Sequence, residues 1–141
     1  MTDLLTRLEK NFILREFIIS DFYSTDMQDR VLEAFRLEED EILPRIKKLA
    51  KNLQVLRDYL GSPININIAY RPLFWELKQK RSGKSQHVKG WAADIVSDDF
   101  SPKEVYDAIS NLIAIGKMDE GGLGSYSNFT HVDTRGIKAR W

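Results

Sequence analysis

Apolar residues recur at steps of three and four through the middle of the first half of the chain. Ile46, Leu49, Leu53, Leu56 and Leu60 trace one stripe, and at 3.6 residues per turn such spacing predicts a helix with one buried face from Glu38 to Leu60. The acidic start, Glu38 to Glu41, suits the positive end of a helix dipole, and Gly61 is a natural stop. Pro44 is expected in the first turn, where a missing N–H costs least. Ahead of this helix, the apolar run from Asn11 to Asp21 leads through a polar step into a second helical pattern at Val31, Leu32 and Phe35. Beyond it, Ile64-Asn65-Ile66-Asn67-Ile68 alternates strictly, as a strand with one apolar face does. Arg71-Pro72 ends that strand, Pro72 to Gln79 reads as a short helix, and Lys80 to Lys84 is a basic loop.

The second half is built from shorter pieces. Ala92 to Val96 reads as a strand. Ser101-Pro102-Lys103-Glu104 is a capping box with proline at the first helical position. Val105, Ile109, Leu112 and Ile113 supply the buried face of the helix that follows, and Gly116 closes it. Gly121 to Tyr126 and Thr130 to Arg135 pattern as two strands of a hairpin turning near Ser127 and Asn128. There is no internal repeat and no low-complexity tract. Helices first and short strands after predict an α+β fold, a small antiparallel sheet packed with helices.

Length and composition narrow the function. At 141 residues the chain is expected to form one domain, residues 1–141. A formal net charge of zero gives no general attraction to nucleic acid. No stretch reaches the apolar length of a membrane span, so stable membrane insertion is not expected. The segment Met1 to Lys10 has no apolar core of a signal peptide, which places the chain in the cytoplasm as synthesised. The absence of cysteine excludes disulfides, thiolate metal sites and cysteine nucleophiles together.

Any metal site must therefore use histidine and carboxylate. The chain has two histidines. One lies in Ser85-Gln86-His87-Val88-Lys89-Gly90-Trp91-Ala92-Ala93-Asp94, the other in Phe129-Thr130-His131-Val132-Asp133. Each residue alone is better read as an ordinary core or surface side chain. Together, His87, Asp94 and His131 make a three-ligand set for Zn2+ that leaves a fourth position for water. A loop running into a strand, reversed at Gly90, would bring His87 and Asp94 to one point, with His131 arriving from a neighbouring strand.

The pattern Ser85-x-His87-x-x-Gly90-x-Ala92-x-Asp94, followed by glycine-rich sequence and His131-x-Asp133, resembles the M15 family of zinc D-Ala-D-Ala peptidases. The likeness is to the branch that includes phage endolysins and murein endopeptidases. The opening segment Asn11-Phe12 to Ser20-Asp21 and the strand-end Ala69-Tyr70-Arg71 also resemble that branch. The resemblance implies a hedgehog/DD-peptidase-like fold, zinc ligation by His87, Asp94 and His131, and Arg71 beside the substrate carbonyl or carboxylate. A structural ion pair at the strand end is an equal reading of Arg71.

The proton acceptor is less direct. Several members of the family carry an acid three positions before the last histidine, where this chain has Asn128. Asp133 shares a strand face with His131 and is the best substitute, as a base or as an acceptor that orients a ligand imidazole. Glu120 is the reserve. Tyr126 is a candidate hydrogen-bond donor to substrate, against a packed hairpin tyrosine. Ser85 is expected to fix the loop near substrate rather than to act as a nucleophile. Lys80, Arg81 and Lys84 are expected at the cleft border, and Trp75, Trp91 and Trp141 in a groove or in packing.

Two functions follow. The first is a metallopeptidase, a monomer that hydrolyses peptidoglycan stem peptides as a D-Ala-D-Ala carboxypeptidase or murein endopeptidase, released to the cell wall as a phage or prophage lysin. The second is a zinc-stabilised module that binds cell-wall peptide or a protein partner, as the similarity to the zinc-containing hedgehog signalling domain implies. Asn128 favours the second. A degenerate structural phage component is a third reading.

Overall fold

The computed structural model describes residues 1–141. An N-terminal pair of short strands, β1 (Arg7–Glu9) and β2 (Phe12–Ile13), precedes a one-turn helix α1 (Arg15–Ile18). Helix α2 (Thr25–Leu37) starts at Ser24, whose side chain accepts from the Met27 N–H, and runs almost directly into α3 (Glu39–Leu60). The predicted apolar stripe is buried, with Ile46, Leu49, Leu53 and Leu56 inaccessible to solvent. Gly61 ends α3 in the left-handed conformation, φ +65°.

Pro44 departs from expectation. The helix already begins at Glu39, so Pro44 lies beyond its first turn. It cannot supply the helical hydrogen bond to the Asp40 carbonyl. The long stripe on either side outweighs that loss, since helical stability in proteins comes mostly from packing of the apolar face.

The predicted elements follow in order, β3 (Ile64–Ile68), α4 (Leu73–Lys78), β4 (Ala92–Ser97), α5 (Pro102–Ala114), β5 (Gly122–Ser125) and β6 (Thr130–Asp133), and the structure adds a 3₁₀ turn at Gln86–Lys89 and a last strand β7 (Ala139–Arg140). The capping box forms as read: Ser101 Oγ accepts from Glu104 N, and the Glu104 carboxylate accepts from Ser101 N. Five strands make the main sheet in the order β3-β4-β6-β5-β7. All pairs are antiparallel but the last, where β7 lies parallel to β5. The α+β class holds, and the sheet is mixed at one edge because the chain returns past β5 after the hairpin. No helix is long and apolar enough to cross a membrane.

The two faces of this sheet have different work. Ala93, Ile95, Val132 and Leu123 belong to the buried core, and α5 packs on β4, β5 and β6. Side chains alternate along a strand, so their neighbours Asp94, His131 and Asp133 emerge on the opposite face. Register then aligns them: Asp94 is the direct partner of His131, and Ala92 that of Asp133.

Gly90 closes the 3₁₀ turn at φ +80°, and a Cβ there would fall 2.9 Å from Ile42 Cγ2 on α3. The turn that carries His87 thus rests directly on the long helix. Gly90→Ala is expected to lose about 1–3 kcal/mol of stability through backbone strain, read from the urea-unfolding midpoint.

Candidate metal centre

Three elements deliver three ligating groups. His87 comes from the 3₁₀ turn, which Ser85 caps by accepting from the His87 N–H at 3.2 Å. Asp94 comes from β4 and His131 from β6, set opposite one another by strand register. One donor atom from each of the three lies within 4.8 Å of the others. This is the group read from the sequence.

Hydrogen bonding settles which nitrogen of each ring faces inward. His87 Nδ1 is 2.7 Å from the Ala69 carbonyl, which can only accept, so Nδ1 carries the proton. Its Nε2 stands 3.2 Å from Asp94 Oδ1. His131 Nε2 is 2.8 Å from Asp133 Oδ2, and its Nδ1 is also 3.2 Å from Asp94 Oδ1. Two imidazole lone pairs and a carboxylate oxygen therefore converge, an arrangement that repels itself unless a cation sits among them. Donors on a tetrahedral zinc with arms of about 2.0–2.1 Å stand about 3.3 Å apart. The two separations from Asp94 Oδ1 match that edge, and the donor types are those zinc accepts.

Protonation eases that repulsion at His131 rather than at His87. Burial pushes the pKa of His87 down, against the pull of Asp94. Burial also opposes charge on His131, but hydrogen bonds to Asp133 and Asp94 outweigh it and raise its pKa. Burial works against Asp94 as well, yet its bonds to His131 and His87 hold its carboxyl below the usual range.

Asp133 is placed behind His131 rather than in front of it. Its side chain is wholly buried. Oδ1 accepts from Gly122 N at 2.8 Å, Arg135 N at 3.2 Å and Arg135 Nε at 2.9 Å. Oδ2 accepts from His131 Nε2 and from Arg135 Nη2 at 2.6 Å. Five donors leave neither oxygen free for a water. Of the two roles read for Asp133, the geometry fits the orienting one and not the base. Gly122 makes the arrangement possible, since any side chain there would collide with Asp133 Oδ2.

A cleft of about 310 Å³ opens over the three groups. Arg71, Ser85, Tyr126 and Trp141 line it, together with Lys84, Gln86, Phe129 and Arg135. Asp94 is its only carboxylate. Glu120 is turned away onto Arg140, at 3.1 Å, and Asn128 is exposed in the hairpin turn. Of the three basic loop residues, only Lys84 reaches the cleft. Arg81 instead pairs with Glu76, and Lys80 is exposed. Ser85 Oγ also accepts from Arg71 Nη2 at 3.2 Å, so it ties the turn to that arginine.

The tryptophans separate clearly. Trp75 meets Tyr23 edge-on, and Trp91 packs under Arg45 and Lys48. Trp141 alone lines the cleft. Its ring lies 4.9 Å from the His131 imidazole, tilted by 47°, its Nε1 donates to Tyr126 Oη at 2.8 Å, and Arg135 lies over its face. A Cβ at Gly124 would fall 2.6 Å from the indole, so the glycine makes the room. Arg135 was not among the residues read from the sequence. Its position two after Asp133, just past the end of β6, is the signal that marks it.

The family model described as Peptidase M15 matches residues 20–133 of the chain. The match spans Arg71, Ser85 and all three metal-ligating candidates, and ends at Asp133. No curated protein matches.

Asp133→Asn is expected to weaken zinc binding by about 10–100-fold, read by competition with a chelator. Because a metal needs His131 neutral and its pKa is raised, apparent zinc affinity is expected to fall as pH is lowered through neutrality. Equilibrium dialysis across that range checks the sign.

Proposed function

Because the chain belongs to the peptidase M15 family, whose members are generally zinc-dependent, we propose that it hydrolyses a peptide bond in peptidoglycan stem peptides. His87, Asp94 and His131 hold the zinc. The observation that carries this reading is the convergence of their donor atoms, all within 4.8 Å of one another, under an open cleft. When bound, zinc supplies a Lewis acid for the scissile carbonyl and lowers the pKa of water toward neutrality.

The chain's own residues do the rest. Asp133 holds His131 in the tautomer that turns Nδ1 inward. Arg71 offers a guanidinium in the cleft wall for negative charge that develops on the substrate. Tyr126 Oη accepts from Trp141, which leaves its own hydrogen to donate to a substrate oxygen. Arg71, Lys84 and Arg135 line the cleft against one carboxylate, a balance that suits acidic stem peptides. Ser85 contributes by binding Arg71 and capping the turn. The likeness of the ligand motif to the endolysin branch supports a role as a cell-wall lysin.

The absence of a second carboxylate in the cleft favours another reading, a zinc-stabilised module that binds cell-wall peptide without cutting it. Mass spectrometry of muropeptides after digestion separates the two and names the bond. The zinc-loaded protein is expected to release stem-peptide fragments, and His131→Ala to release none. Intact muropeptides with the zinc-loaded protein would favour the binding module. At saturating zinc, Asp133→Asn is expected to keep kcat within about tenfold of the parent, whereas loss of a general base costs about 10²–10⁴-fold.

A further inference from the structure

Behind the cleft wall lies a buried set of charges that the metal centre does not account for. Glu76, on α4, has no solvent exposure. It sits between two guanidinium groups: Oε2 is 2.9 Å from Arg81 Nη1, and Oε1 is 3.5 Å from Arg71 Nη2. The bonding is incomplete, since Glu76 Oε1 finds no donor and Arg71 Nε no acceptor. A buried carboxylate so poorly satisfied is an inefficient way to stabilise a fold; an apolar side chain of similar volume generally does as well or better.

Its position serves Arg71. The one hydrogen bond made by that guanidinium is Nη2 to Ser85 Oγ. Asp94 also attracts it, and burial weighs against its charge while Glu76 and Asp94 favour it. Two carboxylates therefore compete for one arginine, one behind the wall and one in the metal centre. Arg71 and Asp94 line the same cleft, and Glu76 meets the guanidinium from α4, at 3.5 Å. Arg81 supplies Glu76 with a second cation, and its backbone N–H donates to the Glu76 carbonyl at 2.9 Å. The segment from Arg81 to Ser85, which reaches the cleft at Lys84, is thereby anchored to the same helix.

We propose that Glu76 is a positioning residue for Arg71, holding its guanidinium in the cleft wall where it meets substrate. The proposal rests on the peptidase reading for its kinetic consequence, but not for its structural one.

The test uses the zinc-loaded full chain with Glu76→Gln, Arg71→Lys and the double variant. Glu76→Gln is expected to lower kcat and kcat/KM for stem peptide together, by about tenfold, with zinc content little changed, as when a group acting on developing charge is displaced. With Arg71 already lysine, adding Glu76→Gln is expected to change nothing further. In side-chain ¹⁵N NMR, the Arg71 Nε signal, assigned by its loss in Arg71→Lys, is expected to shift and lose its restricted rotation in Glu76→Gln. Independent, multiplying kinetic effects, or an Arg71 signal unmoved by Glu76→Gln, would overturn the proposal. If the parent protein cuts no peptide, the peptidase reading falls while the NMR measurement still decides this one. Should Glu76→Gln fail to fold, Arg81→Ala carries the test: removing the half-exposed partner is expected to move the Arg71 signal through the shared carboxylate, and an unmoved signal would overturn the idea.

Discussion

Two imidazole nitrogens each stand 3.2 Å from one carboxylate oxygen, Asp94 Oδ1, with their lone pairs turned inward. In a protein interior such a cluster is unfavourable without positive charge at its centre. Much of the surrounding structure can be understood as holding these groups where they would otherwise part. The Ala69 carbonyl fixes one ring by taking its outer N–H, and Asp133 fixes the other in the same way. Strand register sets Asp94 beside His131, and the 3₁₀ turn on α3 sets the distance of His87.

The support for His131 is more extensive than that for His87. A chain of contacts runs from His131 to Asp133, from Asp133 to Arg135, from Arg135 to Trp141 and back to the His131 ring. The glycines of β5 leave space for two members of it, Asp133 and Trp141. The hairpin β5–β6 and the returning strand β7 thus form one unit around a single imidazole. The parallel pairing of β7 with β5 is what brings Trp141 over the cleft.

Charge is segregated in depth. Arg71, Lys84 and Arg135 line the opening, while the carboxylates that balance them, Glu76 and Asp133, lie buried behind it. Each buried acid contacts an arginine at the cleft and leaves that arginine partly free. The result is a mouth carrying three cationic side chains over a ligand set able to take a divalent cation.

Much of the architecture was legible in local pattern. The stripe from Ile46 to Leu60, the alternation at Ile64–Ile68, the capping box at Ser101 and the glycine at position 90 each follow from backbone geometry and burial over a few residues. The grouping of His87, Asp94 and His131 was legible too, because a chain with two histidines and no cysteine offers few other ligand sets. The roles of Asp133, Arg135, Glu76 and Trp141 were not. Alternation shows that Asp133 shares a face with His131, but not that five donors consume it; that depends on Gly122 and Arg135 folding around it. The parallel edge strand, the choice of one tryptophan among three, and the burial of Glu76 between two arginines also depend on contacts between distant segments. Sequence by itself determined which groups could carry the chemistry, since residue type and local periodicity are properties of short stretches. Tertiary structure alone decided which of them face the cleft and which stand behind it, since a side chain's free lone pairs are set by every neighbour that packs against it.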